Sequence, residues 1–193
     1  YDWDCLKYAL YEYEVYLRDS RFSRDTSKLS LQMLQQQTEL VQSVEHIFPQ
    51  TPKDGEWPSF GIIEIADIPL VTNSLGNLLL ISGPKNAALR NDAFKKKAFE
   101  GDTRYANGSF SEIAVATAWS DWTPHAVYAR SEELLRFIGS RWRVPSWESS
   151  CVAVLQPLEK YCRVHSGSEV VDAAAELGTA ALTPDVNFSR LST

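Results

Sequence analysis

The stretch Glu45-His46-Ile47-Phe48-Pro49-Gln50 puts a carboxylate and an imidazole side by side at the end of an apolar run. Further on, Leu75-Gly76-Asn77-Leu78-Leu79-Leu80 opens a second apolar run with an asparagine, and Lys85-Asn86 supplies another where a helix begins. Hydrolysis of a phosphodiester needs a water made nucleophilic, charge neutralised on the phosphoryl oxygens, and help for the departing alkoxide. An imidazole titrates near working pH, so His46 is the candidate general base. One hard divalent cation, Mg²⁺ or Mn²⁺, suits the other two tasks. It prefers oxygen ligands and keeps several waters, so the Glu45 carboxylate and the side-chain carbonyl of Asn86 suffice as protein ligands. A carbonyl of Asn77, from side chain or backbone, can accept the second imidazole N–H and fix the tautomer. Alternation along a strand turns Glu45 and His46 to opposite faces, so a shared site demands a twist or bulge between them.

Each of these residues also has a plainer reading. A histidine beside an apolar strand is commonly structural. Gly76-Asn77 is an ordinary turn pair, and Asn86 can simply cap its helix. His125 falls in the first turn of a helix. Cys162 and His165, with Cys151 upstream, lack the further ligands of a zinc site. The sequence contains no phosphate-binding glycine loop, nucleophile elbow or His-Glu-x-x-His motif.

Several elements must position the candidates. Leu6, Leu10, Tyr13 and Leu17 recur at helical spacing and predict a helix over about 2–19. Residues 18–28 read as a loop, and 31–37 as a short helix. Residues 42–48 read as a strand closed by Pro49. The turn-rich span 50–74 reads as a long functional loop, with 61–68 either strand or helix. Residues 75–82 form the second strand, Gly83-Pro84 breaks it, and a helix runs over about 86–100. A small helix covers 110–119. Thr123-Pro124 opens a helix that runs to Trp142, with Val127, Leu134, Leu135 and Ile138 inward and Arg130, Glu132, Glu133, Arg136 and Arg141 mostly outward. Helices are also expected at 156–161 and 170–182. The fold class is α+β and mostly helical.

The chain has 193 residues, 44% of them hydrophobic, enough for one well-cored domain. It has no apolar run of membrane-spanning length. It starts at Tyr1 rather than methionine and reads as an excerpt of a larger protein. Three scattered cysteines suit a reducing cytoplasm. The net charge of −6 argues against an indiscriminate nucleic-acid binder. Against that background Lys85, Arg90, Lys95, Lys96 and Lys97 form a local basic cluster opposed by Asp92. It is suited to gripping a short length of phosphate backbone, although Lys95 to Lys97 can also be a solvated helix face.

Val44 to Gln50, Leu75 to Leu80, and Asn86 followed by Asn91, Phe94 and Lys96-Lys97 resemble the C-terminal nuclease domain of GmrSD-type modification-dependent restriction proteins. Trp122-Thr123, Arg130 and Trp142 resemble that family's tail. Within the group, the antiphage SspE-type proteins are similar too. The resemblance implies a ββα-metal unit of the HNH (His-Me finger) class over about 42–100, flanked by helices at 2–19 and 123–142. The nuclease domain would span 1–142, with a helical extension over 143–193. It also implies a trio at His46, Asn77 and Asn86, with Glu45 where many relatives carry aspartate. DNA would be the substrate in the bacterial cytoplasm. An N-terminal NTPase and sensor domain of the same protein would be a partner. Asparagine rather than histidine at position 86 favours Mg²⁺ or Mn²⁺ over zinc. The expectation is a metal-dependent, nicking DNA endonuclease. The alternative is a nuclease-like module that binds DNA or protein without cutting.

Overall fold

The first helix, α1 (Leu6–Leu17), forms because Leu6, Leu10, Tyr13 and Leu17 share one face and bury it. A π-helical turn, Arg18–Phe22, continues it where a loop was expected. The structure, a computed structural model, describes residues 3–22, 28–35, 43–53, 55–61, 63–146, 155, 157–159 and 161–162. The helix expected at 170–182 lies outside them. A short α2 (Leu31–Gln35) precedes β1 (Ser43–His46). The long segment after β1 is built of turns: a 3₁₀ turn at Pro58–Phe60, another at Ile65–Asp67, and helix α3 (Ile68–Thr72). Of the ambiguous span 61–68, residues 65–68 are helical, and 61, 63 and 64 are neither helix nor strand.

A third 3₁₀ turn, Leu75–Asn77, leads into β2 (Leu78–Ile81). The two strands pair antiparallel in unbroken register, from Ser43 opposite Ile81 to His46 opposite Leu78. Both faces of this hairpin are covered, which is why β2 reads as a continuous apolar run. Val44, Leu78 and Leu80 pack against α1 residues Leu6, Leu10, Tyr13 and Leu17. Leu79 and Ile81 face a second cluster with Ile47, Phe48, Val71, Phe94, Tyr105 and Trp122. Leu155, Leu158 and Tyr161 belong to that cluster too, in line with the helix expected there.

The single helix expected over 86–100 is two helices, α4 (Gly83–Leu89) and α5 (Phe94–Phe99). Gly83-Pro84 does end the strand as expected, and Pro84 sits in the first turn of α4, where its missing N–H costs nothing. The break comes at Arg90, whose φ of 49° no helix accommodates. Two further helices follow, α6 (Phe110–Ala118) and α7 (Pro124–Trp142). The α6 N-terminus is satisfied twice. Ser109 and Glu112 make a capping box, and Glu14 of α1 accepts from Phe110 N–H (2.7 Å), Ser111 N–H (2.8 Å) and Ser111 Oγ (2.7 Å). A carboxylate at this position also complements the helix dipole. Thr123 caps α7 by accepting from Ala126 N–H at 3.1 Å.

Helix α7 lies against the turn before β2, and two residues make this possible. Arg130, expected outward, is buried at 2% exposure because its Nη1 donates to the carbonyls of Gly76 (2.6 Å) and Leu78 (2.8 Å). Those carbonyls have no ladder partner and need a donor. Gly76 is there because a Cβ would come 2.1 Å from the carbonyl oxygen of Val127 and 2.6 Å from Ser131 N. Gly76→Ala is therefore expected to destabilise the domain by about 2–3 kcal/mol through overpacking, measurable as a fall in urea midpoint at unchanged slope.

Candidate active site

His46 ends β1, half-buried, on the face opposite Glu45. The bulge that would bring the two together is absent from the register. Its Nε2 lies 3.3 Å from Asn73 Oδ1, in the residue that follows α3. The Gln50 amide nitrogen is 3.4 Å from the same Nε2 and 3.5 Å from Asn73 Oδ1. An amide oxygen accepts and an amide nitrogen donates, so the Asn73 contact takes a proton on Nε2 and the Gln50 contact takes a lone pair there. Burial lowers the imidazole pKa, and the Asn73 hydrogen bond opposes that shift while Lys97 adds to it. The ring is thus held neutral and oriented by Asn73.

Asn77 does not carry out the orienting role expected of it. It is fully buried, and both ends of its amide serve the backbone. Nδ2 donates to the carbonyls of Phe48 and Thr72, each at 2.8 Å. Oδ1 accepts from Phe48 N–H at 2.8 Å and from Trp122 Nε1 at 3.0 Å. Its own carbonyl accepts from Ile47 N–H at 2.9 Å. Asn77 therefore ties the chain just after His46 to the turn before β2 and to Trp122. It shapes the site without touching the imidazole.

The two expected metal ligands diverge. Glu45 is buried at 3% exposure, and its Oε1 accepts from Lys97 Nζ at 2.6 Å and Tyr105 OH at 2.9 Å. Burial pushes this carboxyl up, and the ammonium and phenol pull it back. Asn86 donates from Nδ2 to Ser43 Oγ (2.7 Å) and the Val44 carbonyl (3.2 Å), at the start of the strand that His46 ends. Three residue steps along the strand separate Ser43 from His46, about 10 Å. Among the described residues no group of three or more His, Cys, Asp or Glu side chains is placed to hold a metal.

The basic cluster is also redistributed. Lys97 is buried with Glu45. Lys85 pairs with Glu112 and donates to the Arg104 carbonyl at 3.3 Å. Lys96 is exposed and pairs with Asp92 at 2.8 Å. Arg90 and Lys95 are exposed. Arg90, like Arg143 and Ser146, has a positive φ, a conformation that costs a non-glycine residue about 1–3 kcal/mol. His125 is exposed, as expected for the first turn of α7.

A family model described as the C-terminal domain of GmrSD restriction endonucleases matches residues 1–137. The chain belongs to this family. No curated protein and no solved structure matches it. The GmrSD C-terminal domain is a restriction endonuclease domain, which implies DNA as substrate and suggests a divalent metal cofactor. Glu45 does not fit such an ion, because an ammonium already lies at its carboxylate. No helix among the described residues is long and apolar enough to cross a membrane. Two residues of the His46 neighbourhood escaped the sequence reading. Asn73 lay in a span that looked like generic turn, and Gln50 was visible only as the last letter of the motif.

Proposed function

We infer that this GmrSD C-terminal domain nicks DNA, with His46 as the base that deprotonates the attacking water. The observation that carries this is the half-buried imidazole at the end of β1, shifted by burial toward its neutral form and oriented by Asn73 and Gln50. Once the imidazole has taken the water's proton, the Asn73 amide oxygen beside the ring steadies the imidazolium that results. Arg90, Lys95 and Lys96 are the exposed cations proposed to hold the flanking phosphates; Lys85 and Lys97 are withdrawn from that role by their buried partners. One base per chain makes a single-strand cut the natural product.

Metal dependence is part of this reading and rests on the family, with Mg²⁺ or Mn²⁺ as the ion that oxygen-rich sites favour. When bound, such an ion supplies charge neutralisation at the phosphoryl oxygens. An N-terminal NTPase and sensor domain in the same protein, regulating the cut in a bacterial cytoplasm, completes the proposal. A second reading, a module that binds DNA without cutting, is favoured by one observation: the acidic residue of the motif is occupied by Lys97.

A supercoiled-plasmid assay separates them. The expected result is conversion to open circle with Mg²⁺ or Mn²⁺ and none with EDTA; DNA binding without conversion under either ion supports the module instead. The pH dependence has a definite sign. The working form of His46 is neutral, and a lowered pKa keeps it neutral to lower pH. The rate is therefore expected to rise with pH through an acid limb whose midpoint lies below the ordinary imidazole value of about 6.5, then level off. A midpoint at or above that value contradicts the burial argument.

A further inference from the structure

We propose that the Lys97 ammonium is the resident cation of the Glu45 site, and that the buried Glu45–Lys97–Tyr105 cluster positions the strand end carrying His46 rather than holding a metal. An ammonium has three donors. Lys97 Nζ places them on Glu45 Oε1 at 2.6 Å, the His46 carbonyl at 3.0 Å and the Ile47 carbonyl at 3.2 Å. One carboxylate and two backbone carbonyls form an oxygen set of the kind a hard cation takes, already filled from α5. Tyr105 OH donates to the same carboxylate oxygen at 2.9 Å, and the Trp57 ring lies 5.9 Å from Nζ. The Lys97 side chain has no exposure and that of Glu45 has 4%. A divalent ion on this carboxylate would sit beside an ammonium with no water to screen the repulsion.

The same bonds give Lys97 its function. Two of its three donors grip the carbonyls of His46 and the residue after it, so the ammonium sets the backbone from which the imidazole projects. Glu45 holds the ammonium in place, and Tyr105 holds Glu45. The positioning role rests on the reading of His46 as the base; the exclusion of metal from Glu45 does not.

The test uses the whole chain, with Mn²⁺ alone as probe, and the variants Glu45→Gln, Lys97→Met and the double variant. Mn²⁺ binding, followed by the electron paramagnetic resonance of the free ion, is expected to be the same in wild type and Glu45→Gln, whether measurable or nil in both. Loss of about tenfold or more in Glu45→Gln alone would make Glu45 a ligand and overturn the proposal. In thermal unfolding, Lys97→Met is expected to lose more than Glu45→Gln, and the double variant to recover much of that loss, because breaking a buried pair leaves one charge uncompensated. Strictly additive losses overturn the pairing. In plasmid nicking, Glu45→Gln is expected to lower kcat by about tenfold to a hundredfold with KM unchanged, the mark of a displaced base. An unchanged kcat removes the positioning role. A wild type that never nicks sinks the reading of His46 and leaves the binding and unfolding results to decide the place of Lys97.

Discussion

His46→Ala is expected to lose plasmid relaxation almost entirely, with kcat falling by about 10²–10⁴-fold, the contribution of a well-placed general base. DNA binding should survive, because the proposed phosphate contacts at Arg90, Lys95 and Lys96 lie on other elements. Folding should survive too. The imidazole is half-buried, and its polar neighbours Asn73 and Gln50 are side chains that water can satisfy at an open edge. Near-wild-type unfolding together with lost nicking is therefore the diagnostic pair. Nicking retained at the wild-type rate would remove His46 from the chemistry.

Asn77→Ala is expected to act through stability instead, lowering it by about 3–5 kcal/mol, since buried groups left without partners cost about 1–3 kcal/mol each. The truncation leaves Phe48 N–H, the carbonyls of Phe48 and Thr72, and Trp122 Nε1 without the amide. Each of them is in or beside the core. Urea unfolding at neutral pH measures the loss. A change below about 1 kcal/mol would mean that the amide network is not intact in solution. Asn77→Asp should also be poorly tolerated, because a carboxylate cannot donate to the two carbonyls.

These two asparagines show where sequence reading succeeds and where it stops. The motif pieces around residues 46 and 77 do come together, strand against strand, as the resemblance implied. The assignment of partners within them differs. Asn73 lies against the imidazole, and Asn77 against the backbone. Nothing local distinguishes an asparagine that faces a ring from one that faces a carbonyl. Lys95, Lys96 and Lys97 make the same point: one run of three identical residues yields two exposed side chains and one fully buried, because α5 turns only the third toward Glu45. Arg130 looked like a solvated charge until the bare carbonyls of Gly76 and Leu78 were found beneath it.

By itself the sequence determined what near neighbours control. The apolar spacing of α1 and α7, the Thr123-Pro124 start and the apolar run of β2 are all local signals, and all appear in the structure. It also carried enough of the motif to indicate the GmrSD family. Tertiary structure alone decided which of two asparagines orients His46, which lysine faces Glu45, and where the helix after β2 breaks. Those outcomes depend on burial and on hydrogen-bond partners distant in the chain. A buried carboxylate or bare carbonyl takes whichever donor the packing brings within reach, and no spacing rule along the chain encodes that choice.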